Sequence, residues 1–256
     1  MTSADDRSAS NTLPKVSVIT VVKNAVNTIE DTLLSVSGQS HNGLEHILVD
    51  GGSTDGTLEV IQRNYASNIR VLHEPGLGIY HAMNLGWKEA RGSLISFLNA
   101  DDYYHDKDTV RKAVEQWSGD LQEVVHGDLI VLAGDRRVKR RKPKLESDWI
   151  YRMEIFHPTM FVPKELFLAL SGFDTSFRVI SDWDFALRAK EAGARFLYSE
   201  EIAVTFRLGG ASGEMNLARA LENLSLRKRY SRLKGYFCLC VDLLRVSKRL
   251  LITMAR

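Results

Sequence analysis

Cysteine is scarce in this chain: Cys238 and Cys240 stand two apart, with no third or fourth partner. That pair supplies neither a zinc site nor a disulfide framework, so a reducing compartment is expected. Long apolar runs are missing too. Nowhere do about 18 apolar residues follow one another, roughly what a membrane-spanning helix needs. Met1 to Thr12 is polar and includes Asp5 and Asp6, so no secretory signal is expected and residues 1–14 read as a disordered leader. Cytoplasmic placement follows as the expectation. There is also no low-complexity linker and no internal repeat.

What is present suits a sizeable core, with 44% hydrophobic and 26% charged residues. The net charge of +2 hides an uneven distribution. Residues 217–256 hold ten Lys and Arg against Glu222 and Asp242, which makes the tail +8 and leaves −6 for the remainder. Such a tail can attract anionic lipid or nucleic acid. No aromatic-interleaved basic motif accompanies it, so nucleic acid is not an expected partner.

Val16–Val22 is β-branched and nearly continuous, and 44–49 and 94–98 are similar short runs, as buried parallel strands are. Between them Ile29, Leu33 and Val36, then Leu58, Ile61 and Tyr65, then Ile79, Met83 and Trp87 recur at helical spacing. Alternating strand and helix predicts an α/β fold, an open, mostly parallel central sheet with flanking helices. Its ligand crevice lies at the carboxyl ends of the strands. Beyond Asp102 the pattern loosens into a helix over 107–117, a hairpin through Gly134-Asp135, a helix over 183–192, a strand over 195–198 and a mobile loop over 209–213. The basic run 136–144 reads as a solvated strand or loop, with contact to an acceptor or lipid phosphate as the alternative.

The strand ends are where chemistry is expected. Asn99-Ala100-Asp101-Asp102 presents carboxylates at the crevice mouth, hard oxygen ligands suited to Mg²⁺ or Mn²⁺, unless they cap the next helix. Asp50-Gly51-Gly52-Ser53-Thr54-Asp55-Gly56-Thr57 opens a helix; Asp50 can accept hydrogen bonds from a nucleoside, and Ser53 or Asp55 can serve as an N-cap. It lacks the lysine of a phosphate-binding G-x-x-x-x-G-K loop. In Ser181-Asp182-Trp183-Asp184, Asp182 is a candidate general base, with Asp184 or Ser181 the expected helix cap. His157, fixed by Pro158, is either a metal or phosphate contact or a structural histidine.

These segments, in order and spacing, resemble family 2 glycosyltransferases of GT-A fold over about residues 15–213. The resemblance extends through 73–84, His157, Ser181-Asp182-Trp183-Asp184-Phe185 and Gly209-Gly210-Ala211-Ser212, which are similar to the subgroup building bacterial exopolysaccharide, colanic-acid-type and glycolipid sugars. It implies a catalytic domain over 15–213, with a nucleotide-binding half at 15–102 and an acceptor half at 103–213. A basic amphipathic helical tail occupies 214–256. It also implies inverting transfer from a nucleotide-diphosphate sugar, UDP by default, to a saccharide or lipid-linked acceptor without a covalent intermediate. By position Asp182 matches the base and Asp101 the last carboxylate of the metal-binding D-x-D, with His157 as a second metal contact. The implied donor contacts are Thr20, Val22, Asn24, Asp50, Gly51, Gly78, Asn84, Asn99, Ala100, Arg207, Gly210 and Ser212. Asn99 stands where the family often has the first Asp, leaving Asp101 to hold the ion with phosphates and water. Gly51 stands where many members have a second Asp.

Two other readings compete. A sugar nucleotidyltransferase needs a basic Gly-rich loop after its first strand, which Val22-Lys23-Asn24-Ala25 does not supply. A catalytically inactive scaffold of a polysaccharide assembly complex would not need Asp101 and Asp182. In the tail, Leu217, Leu221 and Leu224 and the apolar residues of 236–251 predict helices. These either pack on the catalytic body or a twin subunit, or lie peripherally on an anionic membrane.

Overall fold

The computed structural model describes residues 15–64, 68–134, 136–144, 148–151, 153–208 and 216–254. The first half alternates as its periodicity predicts: β1 (Val16–Val22), α1 (Ile29–Ser37), β2 (Leu44–Asp50), α2 (Thr57–Arg63), β3 (Ile69–His73), α3 (Ile79–Glu89), β4 (Leu94–Phe97). Side chains of β1 serve both faces, as its continuous apolar run requires. Val16 and Val18 pack with Val110 and Val114, while Ile19 packs with Met83 and Trp87. The second half runs β5 (Tyr103–Tyr104), α4 (Thr109–Gln116), β6 (Glu123–Ala133), β7 (Arg136–Arg141), β8 (Phe161–Pro163), α5 (Lys164–Ala169), α6 (Ser181–Glu191) and β9 (Arg195–Arg207). Then come α7 (Leu217–Tyr230) and α8 (Arg232–Met254).

All strands join one sheet in the order β3-β2-β1-β4-β8-β6-β9-β5, with β7 paired to β6. The pairings β3-β2-β1-β4 and β6-β9 are parallel; β4-β8, β8-β6, β5-β9 and β6-β7 are antiparallel. The sheet is thus parallel through the first half and mixed in the second. Register holds the strand ends in step, with Val22 opposite Asp50 and Ile19 opposite Phe97. Because β1 connects outward to β2 on one side and lies beside β4 on the other, a crevice opens between their ends.

The expected 6–7 hairpin is present and the basic run forms its edge strand. The strand expected over 195–198 extends to Arg207, and β3, β5, β8 and α5 carried too little periodicity to be read. On the α3, α5 and α6 side, Phe97, Phe167, Phe173 and Phe185 form an aromatic cluster, the Phe167–Phe185 centroids 4.3 Å apart. Among the described residues no helix is long and apolar enough to cross a membrane.

Two imidazoles are sealed in this sheet. His46 bonds Thr20 Oγ1 through Nε2 at 2.9 Å, and burial lowers its pKa to about 3. His126 on β6 lies wholly buried against Phe196 and Tyr198, with no hydrogen-bond partner for either ring nitrogen among the described residues; burial lowers its pKa to about 4. Both stay neutral in the fold but take a proton in the unfolded chain below about pH 6.5. The unfolded state then binds more protons, so these two groups remove stability as pH falls from about 6.5 toward their folded values. His126→Phe also removes the unpaired nitrogens. Melting temperature followed against pH should therefore be higher than the parent's at about pH 5 and should fall less steeply on acidification. A slope identical to the parent's would show that other groups govern acid unfolding.

Candidate functional site

At the carboxyl ends of β1, β2 and β4 lies a cavity of ≈ 1150 Å³. One wall is the chain leaving β1 (Val22, Lys23, Asn24, Ala25), Gly51 after β2, Glu74 after β3, and Asn99, Ala100 and Asp101 after β4. Asn24 sits in the left-handed region at φ 53, a conformation Asn tolerates better than most residues. There its Oδ1 accepts from Thr54 N at 2.9 Å while its own amide donates to Ser53 Oγ at 3.0 Å. Gly78, at φ 95, begins α3 at the cavity edge with open space where a Cβ would stand.

The two neighbouring aspartates have different surroundings. Asp101 lines the cavity, and burial raises its pKa; its own amide and the Arg207 charge pull the other way. Asp102 turns inward and is wholly buried, accepting from Asn99 Nδ2 at 3.0 Å and from Arg207 N at 3.2 Å. Burial, then the Asp101 charge, push its pKa up to about 8. Arg207 ties this corner together: one guanidinium nitrogen donates to Asp101 O at 3.0 Å, the other pairs with Asp31 of α1, and the group lies 5.0 Å from the Tyr103 ring centroid. His157 opens a 3-10 turn, His157–Thr159, stacked on Phe97 with centroids 5.4 Å apart. Its Nε2 is buried without a partner among the described residues. Burial lowers its pKa, opposed by the charge of Asp182.

Asp182 stands in the first turn of α6 and lines the cavity. Tyr80 of α3 donates its hydroxyl toward Asp182 Oδ1 and Val179 O, both at 2.9 Å. Burial holds the Tyr80 phenol well above its usual pKa, followed by the Asp182 charge, so it remains a donor. The tail holds this element from behind. Glu222 of α7 accepts from the amides of Arg178 and Val179, just ahead of α6, at 2.9 and 3.0 Å. Arg229 donates to Asp184 and Asp174. Arg227 lies 5.2 Å from the Trp183 ring centroid and pairs with Asp242 of α8 at 2.6 Å.

The structure brings Val22, Asn24, Gly51, Gly78, Asn99, Ala100, Asp101, His157, Asp182 and Arg207 to one cavity. Three expected donor contacts are elsewhere. Thr20 is buried behind the wall, held by His46. Asp50 is buried too, its carboxylate closing the loop on the amides of Gly52 and Ser53 at 3.0 to 3.2 Å, so it shapes the turn that exposes Gly51. Asn84 faces away and clamps Phe173 N and O and Trp87 Nε1. Gly172, at φ +71, fits there because a Cβ would meet Asn84 Oδ1 at 2.6 Å.

Gly210 and Ser212 lie outside the described residues. Neither Asp184 nor Ser181 caps α6, since Ile180 occupies the cap position and the buried Asp184 carboxylate accepts from Arg188 and Arg229. Gly56 holds the cap position of α2, while the Asp55 carboxylate just before it accepts from Thr57 N, the first amide of the helix, at 3.1 Å; Ser53 takes no part there. Asp102 faces the core, not the crevice mouth, and α4 starts after Asp108.

Sequence reasoning missed Tyr80, Arg227 and Asp242. A tyrosine in a helical stripe reads as core, and only the fold places its hydroxyl at Asp182. Among the described residues no group of three or more His, Cys, Asp or Glu side chains is arranged to hold a metal ion.

The chain matches the model of Glycosyl transferase family 2 over residues 17–180. A PGL/p-HBAD biosynthesis glycosyltransferase of Mycobacterium bovis (strain BCG / Pasteur 1173P2) is 30% identical over 181 residues, 68% of this chain and 69% of that one. An uncharacterized glycosyltransferase of Mycobacterium tuberculosis (strain ATCC 25618 / H37Rv) is 33% identical over 180 residues, 69% of each chain. Among solved structures, S. aureus TarS 1-349 in complex with UDP-GlcNAc superposes with a TM-score of 0.69 at 21% identity, over 90% of this chain and 71% of that one. The mannosyltransferase PcManGT from Pyrobaculum calidifontis, in complex with GDP-Man and Mn2+, gives 0.63 at 20% identity, over 96% and 80%. These structural likenesses establish the GT-A fold. With a family model covering most of its length and relatives alike over two thirds of it, the chain belongs to glycosyl transferase family 2.

Proposed function

We propose that this glycosyltransferase moves a sugar from a nucleotide-diphosphate donor, UDP-linked by default, to an acceptor hydroxyl with inversion, in exopolysaccharide, capsule or glycolipid biosynthesis. The observation that carries this is the position of Asp182, held by Tyr80 on the wall of the cavity that the β1, β2 and β4 ends also line. In this reading the nucleoside lies against Asn24 and Gly51, and the diphosphate against Ala100, Asp101 and the Arg207 corner. Asp182 Oδ takes the proton of the acceptor hydroxyl as that oxygen attacks the anomeric carbon and the diphosphate leaves. The Tyr80 donor fixes the carboxylate so that a lone pair stays directed at the acceptor. A biosynthetic role is supported by the M. bovis relative, which is named a PGL/p-HBAD biosynthesis glycosyltransferase.

Mg²⁺ or Mn²⁺ fits the residues present. Asp101 is a desolvated carboxylate on the wall and His157 offers a neutral nitrogen, and an ion held by these two can complete its shell with substrate phosphates. Asp101 and His157 would hold it, and its charge would stabilise the departing diphosphate.

The test is diphosphate release from a panel of UDP- and GDP-sugars with Asp182→Asn and the parent, each with and without chelator. The variant should bind donor as the parent does and turn over about a hundredfold more slowly or worse, and chelation should stop transfer in the parent. Near-parental turnover in the variant would move the base elsewhere, and full activity in chelator would remove the ion.

The tail supports a cytoplasmic enzyme lying peripherally on the inner face of the cell membrane. One face of α8 is built into the cavity wall through Asp242, while Leu233, Phe237 and Leu244, 83%, 69% and 70% exposed, lie along the helix exterior. Five Lys and Arg share that helix, and each basic residue near anionic lipid contributes roughly 1 kcal/mol. Leu233→Ser with Phe237→Ser should lower co-sedimentation with phosphatidylglycerol vesicles without altering nucleotide binding. Unchanged sedimentation would leave that face to a twin subunit in a homodimer.

A further inference from the structure

The basic strand β7 divides its charges between two faces, because successive side chains alternate. Arg140 donates to the wholly buried Asp128 and to Glu200 O, and Lys142 pairs with Glu200 at 3.1 Å. These two are paired with carboxylates, Arg140 with a buried one and Lys142 with an exposed one. Lys139 and Arg141 stand on the other face, opposite Val131 and Leu129, and among the described residues neither is paired with a carboxylate. Arg141 reaches the cavity wall with its guanidinium 5.2 Å from the Phe156 ring centroid. The wall around it is apolar, with Leu129, Met153 and Phe206.

Of the other charges lining this cavity, Lys23, Glu74 and Asp101 stand where β1, β3 and β4 end, and several more are held by neighbours. Arg227 and Asp242 pair with each other, Asp182 accepts from Tyr80, and Arg207 is held by Asp31 and Asp101 O. Arg141 holds an aromatic face and no carboxylate among the described residues. A guanidinium stacked on a ring keeps its planar N–H edge available for bidentate hydrogen bonds to phosphate or carboxylate.

We propose that Arg141, with Lys139 beside it on the same strand face, binds an anionic group that the acceptor carries on an apolar stem, and so selects the acceptor. The inference rests on the transferase reading, which gives the nucleotide to the ends of β1, β2 and β4 and the Arg207 corner. The stem packs on Leu129, Met153, Phe156 and Phe206, and the anion sits at the strand edge. A phosphate on a lipid stem and a uronate carboxylate present the same chemistry here.

Three soluble amphiphiles distinguish the sources: octyl phosphate, octyl glucuronide and uncharged octyl glucoside, each titrated below its micelle threshold into the full chain and its Arg141→Gln variant by calorimetry. The variant should lose about tenfold or more in affinity for at least one anionic probe, the usual scale for a charge-assisted hydrogen bond, and keep its affinity for octyl glucoside. Loss confined to octyl phosphate assigns a phosphate-bearing acceptor, loss confined to the glucuronide an acidic sugar, and loss of both a site reading charge alone. Failure of the parent to bind any anionic probe, equal affinity of variant and parent for the anions, or an equal loss for octyl glucoside would overturn the assignment. UDP and GDP titrated into both proteins keep the two readings separate. Undiminished nucleotide binding shows that the variant is folded, whereas a parent that binds no nucleotide contradicts the transferase reading, whatever the amphiphiles do.

Discussion

A single buried ion pair ties the C-terminal helices to the chemistry. Arg227 and Asp242 are 3% and 1% exposed, and the Arg227 guanidinium also donates to Ile150 O and Tyr151 O and faces the Trp183 ring. Removing one partner of such a pair leaves an uncompensated buried charge, so its two halves depend on each other. Asn223 completes the set by donating to Asp242 at 3.1 Å. Three parts of the chain meet at this point: the α7–α8 hairpin, the segment entering the 3-10 turn of His157, and the helix that carries Asp182. The basic tail is thereby a structural part of the cavity, while Leu233, Phe237 and Leu244 of α8 stay exposed.

That coupling also explains the division of labour among the carboxylates of α6. Asp184 faces inward to Arg188 and Arg229 and anchors the helix, which leaves Asp182, two positions earlier, directed at the cavity. The same logic separates Asp101 from Asp102. The inner aspartate organises Asn99 and the Arg207 backbone, and the outer one is left desolvated on the wall, a position that favours a cation beside it. In each pair one carboxylate is spent on architecture and its neighbour lines the cavity.

Much of this was legible in the chain itself. β-branched runs ending in polar residues marked β1, β2 and β4, and because parallel strands end together, the motifs after them had to converge. What periodicity could not report was side-chain direction. Asp50 and Asn84 carry the chemistry of ligand contacts, yet Asp50 is engaged by the amides of Gly52 and Ser53, and Asn84 by Phe173 N and O and the Trp87 indole. Tyr80 and Arg227 were hidden for the opposite reason, since an aromatic in a helical stripe and an arginine in a basic helix look like core and surface until α3 and α7 are packed against α6. The short strands β5 and β8 lack enough residues to establish a period, and their pairing is set by β9 and by β4.

The central claim is that the tail helices and α6 form one cooperative unit through Arg227. Native-state hydrogen exchange, read amide by amide in Arg227→Met and in the parent, tests it most directly. Protection should fall together in α7, in α8, at residues 148–151 and across the α6 amides that follow Asp182, while β1, β2 and β4 keep theirs. Loss of protection confined to α7 and α8, with α6 exchanging as in the parent, would contradict it.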